Sequence, residues 1–513
     1  MSMIKFGCSL LRFLFPLFFL SACSILSSPT KNVVPDFKLT ERGKMLINKK
    51  WKEVKVEVFS CEENDQVKNI TGQFIKTDLD DIIVFSSGGT YSFDEGETKA
   101  RTNNAQIFES GYWQLTEEAD SLLLITETST TNYFVEELSP EKLVLNLPIA
   151  DEDYYYTLTY RTKSSLMHYQ AEFTQNIDSL ICQYIAENDI PSVAVGVVYR
   201  DSVLYGKRIV NGKEDRSLIS DNEKSIYNIA SVAKPFVATA IMILEQQDSI
   251  NIKDPVVKYL PYFTVDSKSG NQITIEHLLT HTSGLPSVSS PDDYDYEDVD
   301  LTDDALENHI ESLASLKLNA KPGKKYGYSN VGFEVLGEVI AKVAQMPFEE
   351  YMNINLFQPL GMTKTSYLIS DFKEDEIAQP HTGSPYKRTK RFPYNRQFSP
   401  SGNLFTSIKD MNNWMMFNLN DGRYQDFEPL SDSTYALLTT PRVDTKEDGF
   451  VGLGWFTKSL SNGRMVFHDG LDLGYSSLTV LFTEPKIGIL ILSNHQETNC
   501  NELLNKIAKS IKY

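Results

Sequence analysis

The chain has 513 residues, too long for one compact domain, and its 41% hydrophobic content supports a substantial core. Its net charge of −20 argues against nucleic acid as a partner and against electrostatic adsorption to anionic lipid. The five cysteines and seven histidines show no metal-ligand spacing, so neither a metal nor a cofactor is expected.

The leader carries Lys5 and Arg12, then an apolar run from Phe13 to Leu20 that is too short to span a bilayer permanently. It ends in Leu20-Ser21-Ala22-Cys23, which resembles a bacterial lipoprotein signal cleaved before an acylated cysteine. Residues 1–22 are therefore expected to be removed and Cys23 lipidated. Residues 23–37, rich in Ser, Pro, Thr and Asn, read as a tether. The expected place is the cell envelope, anchored by lipid to a membrane, the outer one where two exist; an ordinary cleaved signal peptide is the alternative. With Cys8 and Cys23 set aside, Cys61, Cys182 and Cys500 make no disulfide framework. Cys182 and Cys500 read as small buried hydrophobes.

Residues 38–163 alternate in the period of β-strands. Val54, Val56 and Val58 alternate with charges, and Ser86-Ser87-Gly88-Gly89 separates two strand-like runs as a hairpin signal. Further runs at 111–115, 122–126, 133–138, 142–147 and 154–160 predict a meander closing into a small all-β barrel. With Trp51 opening the first strand and Gly111-Tyr112-Trp113 later, it resembles lipocalin-like modules of bacterial lipoproteins. Such a module serves as a spacer or interaction domain, or holds a small apolar ligand.

From residue 166 to 513 the pattern changes. An amphipathic helix (169–187) precedes two strands (192–199 and 203–210), and a helical pattern closes the chain at Leu503, Leu504, Ile507 and Ile511. Between them, Ser231-Val232-Ala233-Lys234 opens an apolar helix. Residues at i and i+3 share a helix face, so the lysine amine reaches the serine hydroxyl and can act as its base once desolvated. Alone the motif is weak, for the chain spells Ser-x-x-Lys five more times. Its companions give it weight: Tyr328-Ser329-Asn330 before a second helix (331–344), and His468-Asp469-Gly470 after the strand-like 464–467. Leu278-Leu279-Thr280-His281-Thr282-Ser283-Gly284-Leu285-Pro286 and Ser399-Pro400-Ser401-Gly402-Asn403-Leu404 lie around them. His281 and Thr282 read as structural, a helix end closed by Gly284 and Pro286.

This ordered set resembles the penicillin-recognising serine hydrolases, meaning D,D-carboxypeptidases, class C β-lactamases and related esterases. The resemblance implies an α/β domain, an antiparallel sheet flanked by helices with a mainly helical subdomain inserted between strands. It makes Ser231 the nucleophile, Lys234 its activator and Tyr328 the proton shuttle. Asn330, His468 and Gly470 would contact substrate, and the backbone N–H groups of Ser231 and Leu471 would form the oxyanion hole. Which of Lys234 and Tyr328 is the base stays open. His468 stands where many relatives have lysine; it titrates near neutrality and suits an uncharged hydrogen bond, so efficient β-lactam hydrolysis is disfavoured.

The expected function is acyl-enzyme hydrolysis of a D-amino-acid peptide or a small ester or amide. Three other readings stand beside it: a non-catalytic module binding peptidoglycan fragments or a protein partner, a β-lactamase, and a barrel that carries ligand. Two charged stretches could tune substrate choice. One is acidic, 292–304; the other is basic, Lys387, Arg388, Lys390, Arg391 and Arg396.

Overall fold

Strand-period alternation builds the first of two units, Met1–Glu172. The computed structural model describes residues 45–510 except 48–49, 61–67, 70–81, 87–88, 95–106, 117–120, 127–128, 140–141, 149–153, 212–224, 267–268, 287–298, 447–448, 461–462 and 485. The leader, Cys23, the tether, Cys61 and most of the acidic stretch lie outside the described residues. Nine strands run β1 (Lys50–Ser60), β2 (Lys68–Asn69), β3 (Ile82–Phe85), β4 (Thr90–Asp94), β5 (Ile107–Leu115), β6 (Ser121–Ile125), β7 (Thr130–Leu138), β8 (Lys142–Pro148) and β9 (Tyr154–Thr162). From β3 onward each pairs antiparallel with the next, and β1 pairs with both β3 and β9. The β1–β9 pairing therefore closes the meander on itself. Ile83, Phe85, Trp113, Leu122, Leu124, Leu143 and Leu145 pack one shared core. The Trp113 indole N–H donates to the Ser86 carbonyl at 3.1 Å, so its polar end is satisfied.

The second unit is Phe173–Tyr513. Its main sheet is antiparallel, ordered β11 (Ser202–Val210), β10 (Ser192–Tyr199), β22 (Ile487–Ser493), β21 (Tyr475–Phe482), β20 (Gly463–Asp472), β19 (Phe456–Leu460), β18 (Phe450–Val451) and β17 (Val443–Asp444). A three-stranded sheet joins β12 (Ile226–Asn228), β16 (Phe405–Ser407) and β13 (Thr365–Ser366), and a hairpin pairs β14 (His381–Thr382) with β15 (Lys387–Arg388). Strand β22 is buried along its whole length and β10 along nearly all of it, as strands covered on both faces must be. Val193, Val195 and Val197 pack with Ile177, Ile181 and Tyr184 of α1 (Lys163–Glu187) and with Leu503 and Ile507 of the last helix, Cys500–Ser510. Ala194 and Val198 belong instead to the larger core behind the opposite face, with Met411 and Trp414. Gly196 permits that approach, since a Cβ there would sit 2.4 Å from Asn412 Oδ1.

The helices between β11 and β17 pack in that larger core. Central among them is α2 (Lys234–Gln246), buried from Lys234 through Leu244, so it is hydrophobic all round as a core helix must be. Phe236 stacks on Trp414 with ring centroids 3.8 Å apart. Further along come α3 (Ala305–Ser312) and α4 (Asn330–Ala344). Cys500 is buried, but Cys182 is exposed, contrary to expectation. Helix α1 turns Ile181, Tyr184 and Ile185 to the sheet and Cys182 to the outside. No helix among the described residues is long and apolar enough to cross a membrane.

Candidate active site

Ser231 stands in a tight turn between β12 and α2. Residues 230–233 wind as a 3-10 helix, and Pro235 then starts the α-helix, where its missing N–H costs nothing. Ala230, just before the serine, adopts φ 47°, a left-handed conformation that costs a non-glycine residue energy. Neighbours hold it there: Asn228 Oδ1 accepts the Ala230 N–H at 2.7 Å, and Asn228 Nδ2 donates to Asp472 on β20. The Ser477 hydroxyl donates to the Ile229 carbonyl at 2.7 Å. Being in the first turn, the Ser231 N–H has no carbonyl one turn earlier to bond.

Lys234 carries the decisive geometry. Its Nζ lies 2.9 Å from Ser231 Oγ and 2.6 Å from the Ser401 carbonyl oxygen, and the side chain is fully buried. Burial lowers its pKa to about 7, against the pull of Glu334, Asp469 and Asp472, whose charges favour the ammonium. The Tyr328 ring lies 5.0 Å from Nζ, and a side-chain hydrogen bond links its phenol to Ser231. Burial pushes that phenol far above its ordinary value, so it stays protonated.

Asn330 is the first residue of α4 rather than its cap. Ser329 caps the helix by accepting the Gly332 N–H, which leaves the Asn330 side chain for other work. His281, read from sequence as structural, has a more specific place. Its ring stacks on Tyr328 at 4.3 Å, and Nδ1 accepts the Ser329 N–H at 3.1 Å. The His281 carbonyl accepts the Gly327 N–H. It thus aims the loop that carries Tyr328, and its left-handed φ of 54° was invisible in the sequence.

His468 lies in β20, whose pairing with β19 ends at Phe456↔Phe467 while its pairing with β21 continues to Asp472. Residues 468–472 thus have one strand partner among the described strands and an open side. Leu471, 52% exposed, stands there. Gly470 packs against the nucleophile turn, closer than a side chain would allow. His468 departs from expectation: burial and the Lys234 charge push its pKa to about 3, so it does not titrate near neutrality. Its Nδ1–H donates to the Asp469 carbonyl at 2.6 Å, leaving Nε2 as a bare acceptor. His468 Nε2, His281 Nε2 and Asn330 Oδ1 are all buried without a protein partner.

The Beta-lactamase family model matches residues 177–509, well over half of the chain. The chain belongs to the beta-lactamase family. Among relatives, "Protein flp" of Staphylococcus aureus is 28% identical over 323 residues, covering 62% of this chain and 63% of that protein. "Beta-lactamase-like protein 2" of Dictyostelium discoideum is 30% identical over 335 residues, 62% of this chain and 59% of its own. The matched part thus spans under two thirds of either relative. In fold, the chain is similar to the octameric penicillin-binding protein homologue from Pyrococcus abyssi, with TM-score 0.56 and 24% identity over 64% of this chain and 74% of that one. It is also similar to a penicillin binding protein from Bacillus halodurans, with TM-score 0.54 and 21% identity over 64% of this chain and all of that one. The N-terminal barrel lies outside the matched family region.

The basic stretch behaves differently from its composition. Arg396 is held by Asp303 and Glu349 at 2.8 and 3.1 Å, and Arg388 by Glu374 at 3.4 Å, so these two cations have protein partners. Among the described residues no His, Cys, Asp and Glu group could hold a metal.

Proposed function

We propose that this protein is an exported, lipid-anchored envelope serine hydrolase acting on a D-amino-acid peptide or a small ester or amide. The observation that carries the reading is the contact of a desolvated Lys234 amine with the Ser231 hydroxyl. Lys234 takes the Ser231 proton as Oγ attacks the substrate carbonyl carbon. The N–H groups of Ser231 and Leu471 hold the oxyanion, and collapse of the tetrahedral intermediate expels the leaving group. The protonated Tyr328 phenol delivers the proton to that group and recovers it from Lys234. Water then releases the acid by the same steps in reverse. A lowered amine beside a phenol that keeps its proton favours Lys234 over Tyr328 as the base.

Neutral His468, with Asn330, suits an uncharged amide or ester better than the carboxylate of a β-lactam. Lipid on Cys23 supplies the anchor, since a strongly acidic chain gains nothing from anionic lipid. A broad fluorophosphonate probe tests the reaction class on residues 24–513. One adduct on Ser231, mapped by peptide mass, is the expected result; a folded protein that stays unlabelled would shift the function to binding.

The labelling rate should also follow pH. A lysine base works only when neutral, and its neutral fraction falls as pH drops through its folded pKa of about 7. The rate is expected to be flat above about pH 8 and to fall roughly tenfold per unit below about pH 6. A rate rising only near pH 10 would mean the amine is not desolvated.

A further inference from the structure

Behind Lys234 lies a second layer of polar groups that the reaction scheme does not use. The Ser401 carbonyl that accepts from Lys234 Nζ belongs to a residue whose hydroxyl donates to Glu334 Oε1 at 2.8 Å. Glu334 sits on α4 one turn after Asn330, 1% exposed, and its Oε2 meets His309 Nε2 of α3 at 2.8 Å. His309 in turn sets its ring edge-on to Phe398 at 5.4 Å. One carboxylate thus spans two elements and ends, through a single serine, on the lysine that contacts the nucleophile. A glutamate this deeply buried is expensive unless both oxygens are bonded, as they are here.

We propose that Glu334, clamped between His309 and Ser401, is a positioning residue that sets how readily Lys234 takes the Ser231 proton. It acts in two ways. Its charge favours the ammonium form of Lys234, and its hold on Ser401 fixes the carbonyl that aims Nζ. As the proton leaves Ser231, positive charge appears on Nζ, and a fixed negative charge behind it stabilises that change without reorganisation. The cost is a base that is less often free. The other charged groups around Lys234 are Asp469 and Asp472 on β20, while Tyr328, His281 and His468 face it uncharged. One turn further along α4, Glu338 is bonded to Tyr262 and Lys342.

The inference rests on the hydrolase reading for its consequence, but its test does not. In lysine-selective 13C,15N-labelled protein, the Lys234 signal is assigned by its loss in Lys234→Met and titrated by NMR. The wild-type midpoint is expected near pH 7, and Glu334→Gln should lower it by about one pH unit, because a favourable charge has gone. Glu334→Asp, which draws the carboxylate back by one methylene, should lower it less and serves if the glutamine variant does not fold. The acid limb of fluorophosphonate labelling should move with the midpoint, a change that loosened packing would not produce. An unchanged or higher midpoint in a folded variant overturns the proposal. If the wild type titrates as expected yet takes no probe, the hydrolase reading fails while the assignment of Glu334 stands.

Discussion

Lys234→Met is expected to abolish labelling of Ser231 and, at the same time, to raise the melting temperature. The loss of reaction follows from geometry. Without the amine, Ser231 Oγ loses the base it contacts, and the Tyr328 phenol cannot replace it because it holds its proton tightly. The rate should fall at least a thousandfold, on the order of what removing an activating base costs. The gain in stability follows from linkage. In the unfolded chain the amine titrates near 10.5, in the folded one near 7. Between those values the unfolded state binds the proton and the native state does not, so stability rises with pH through that window. Below pH 7 the cost of the buried amine is felt in full. Methionine removes it at the expense of one unpaired Ser401 carbonyl, for a net gain on the order of 1–3 kcal/mol. Thermal melts at pH 6 and pH 10 check this, with the difference from wild type larger at pH 6. A variant less stable than wild type at both would show that Lys234 is there for packing.

Gly470→Ala should damage the site more than its single methyl suggests. An added Cβ would lie 2.4 Å from the Ile229 carbonyl oxygen, 2.4 Å from Ser477 Oγ and 3.1 Å from Ala230 Cβ. Two of those contacts are the partners of the hydrogen bond that pins the nucleophile turn. A backbone carbonyl and the hydroxyl bonded to it leave the methyl little room, so the turn must move. Overpacking of this kind costs about 1–3 kcal/mol, and displacing a reacting atom by about 1 Å costs about a hundredfold in rate. Gly327→Ala is the control. It adjoins Tyr328, yet a Cβ there meets nothing within 4 Å, so both stability and labelling should stay near wild type. Equal effects at the two glycines, measured by denaturant melts and labelling rates, would refute the argument.

The parts of the site legible in the sequence were those with local cause. Ser231 and Lys234 share a helix face by spacing alone, and residues 192–199 read as the strand that β10 is. Asn330 and Tyr328 were found through their order in the chain. Other features depend on distant residues. His281 reads as a helix end because its stacking on Tyr328 joins positions 47 apart in sequence. The depressed pKa of His468 reflects burial and a neighbouring cation, neither written in His-Asp-Gly. Glu334 looks like one more charge on an amphipathic helix until Ser401 and His309 close around it. Arg396 looked like a substrate contact until Asp303 and Glu349 claimed it.

One neighbour of strand β10 in the sheet is β22, pairing Val193 with Ser493 across three hundred residues of chain. Helix α1 and the closing helix, Cys500–Ser510, pack on the same face. The sheet that presents β20 to Ser231 therefore lacks a central strand until β22 has been made. Loops of that length are slow to close, so folding of this unit waits for β22. A chain that has not reached β22 carries the serine and the lysine without the completed sheet behind them. Reactivity is expected only once β22 has joined β10 to β21.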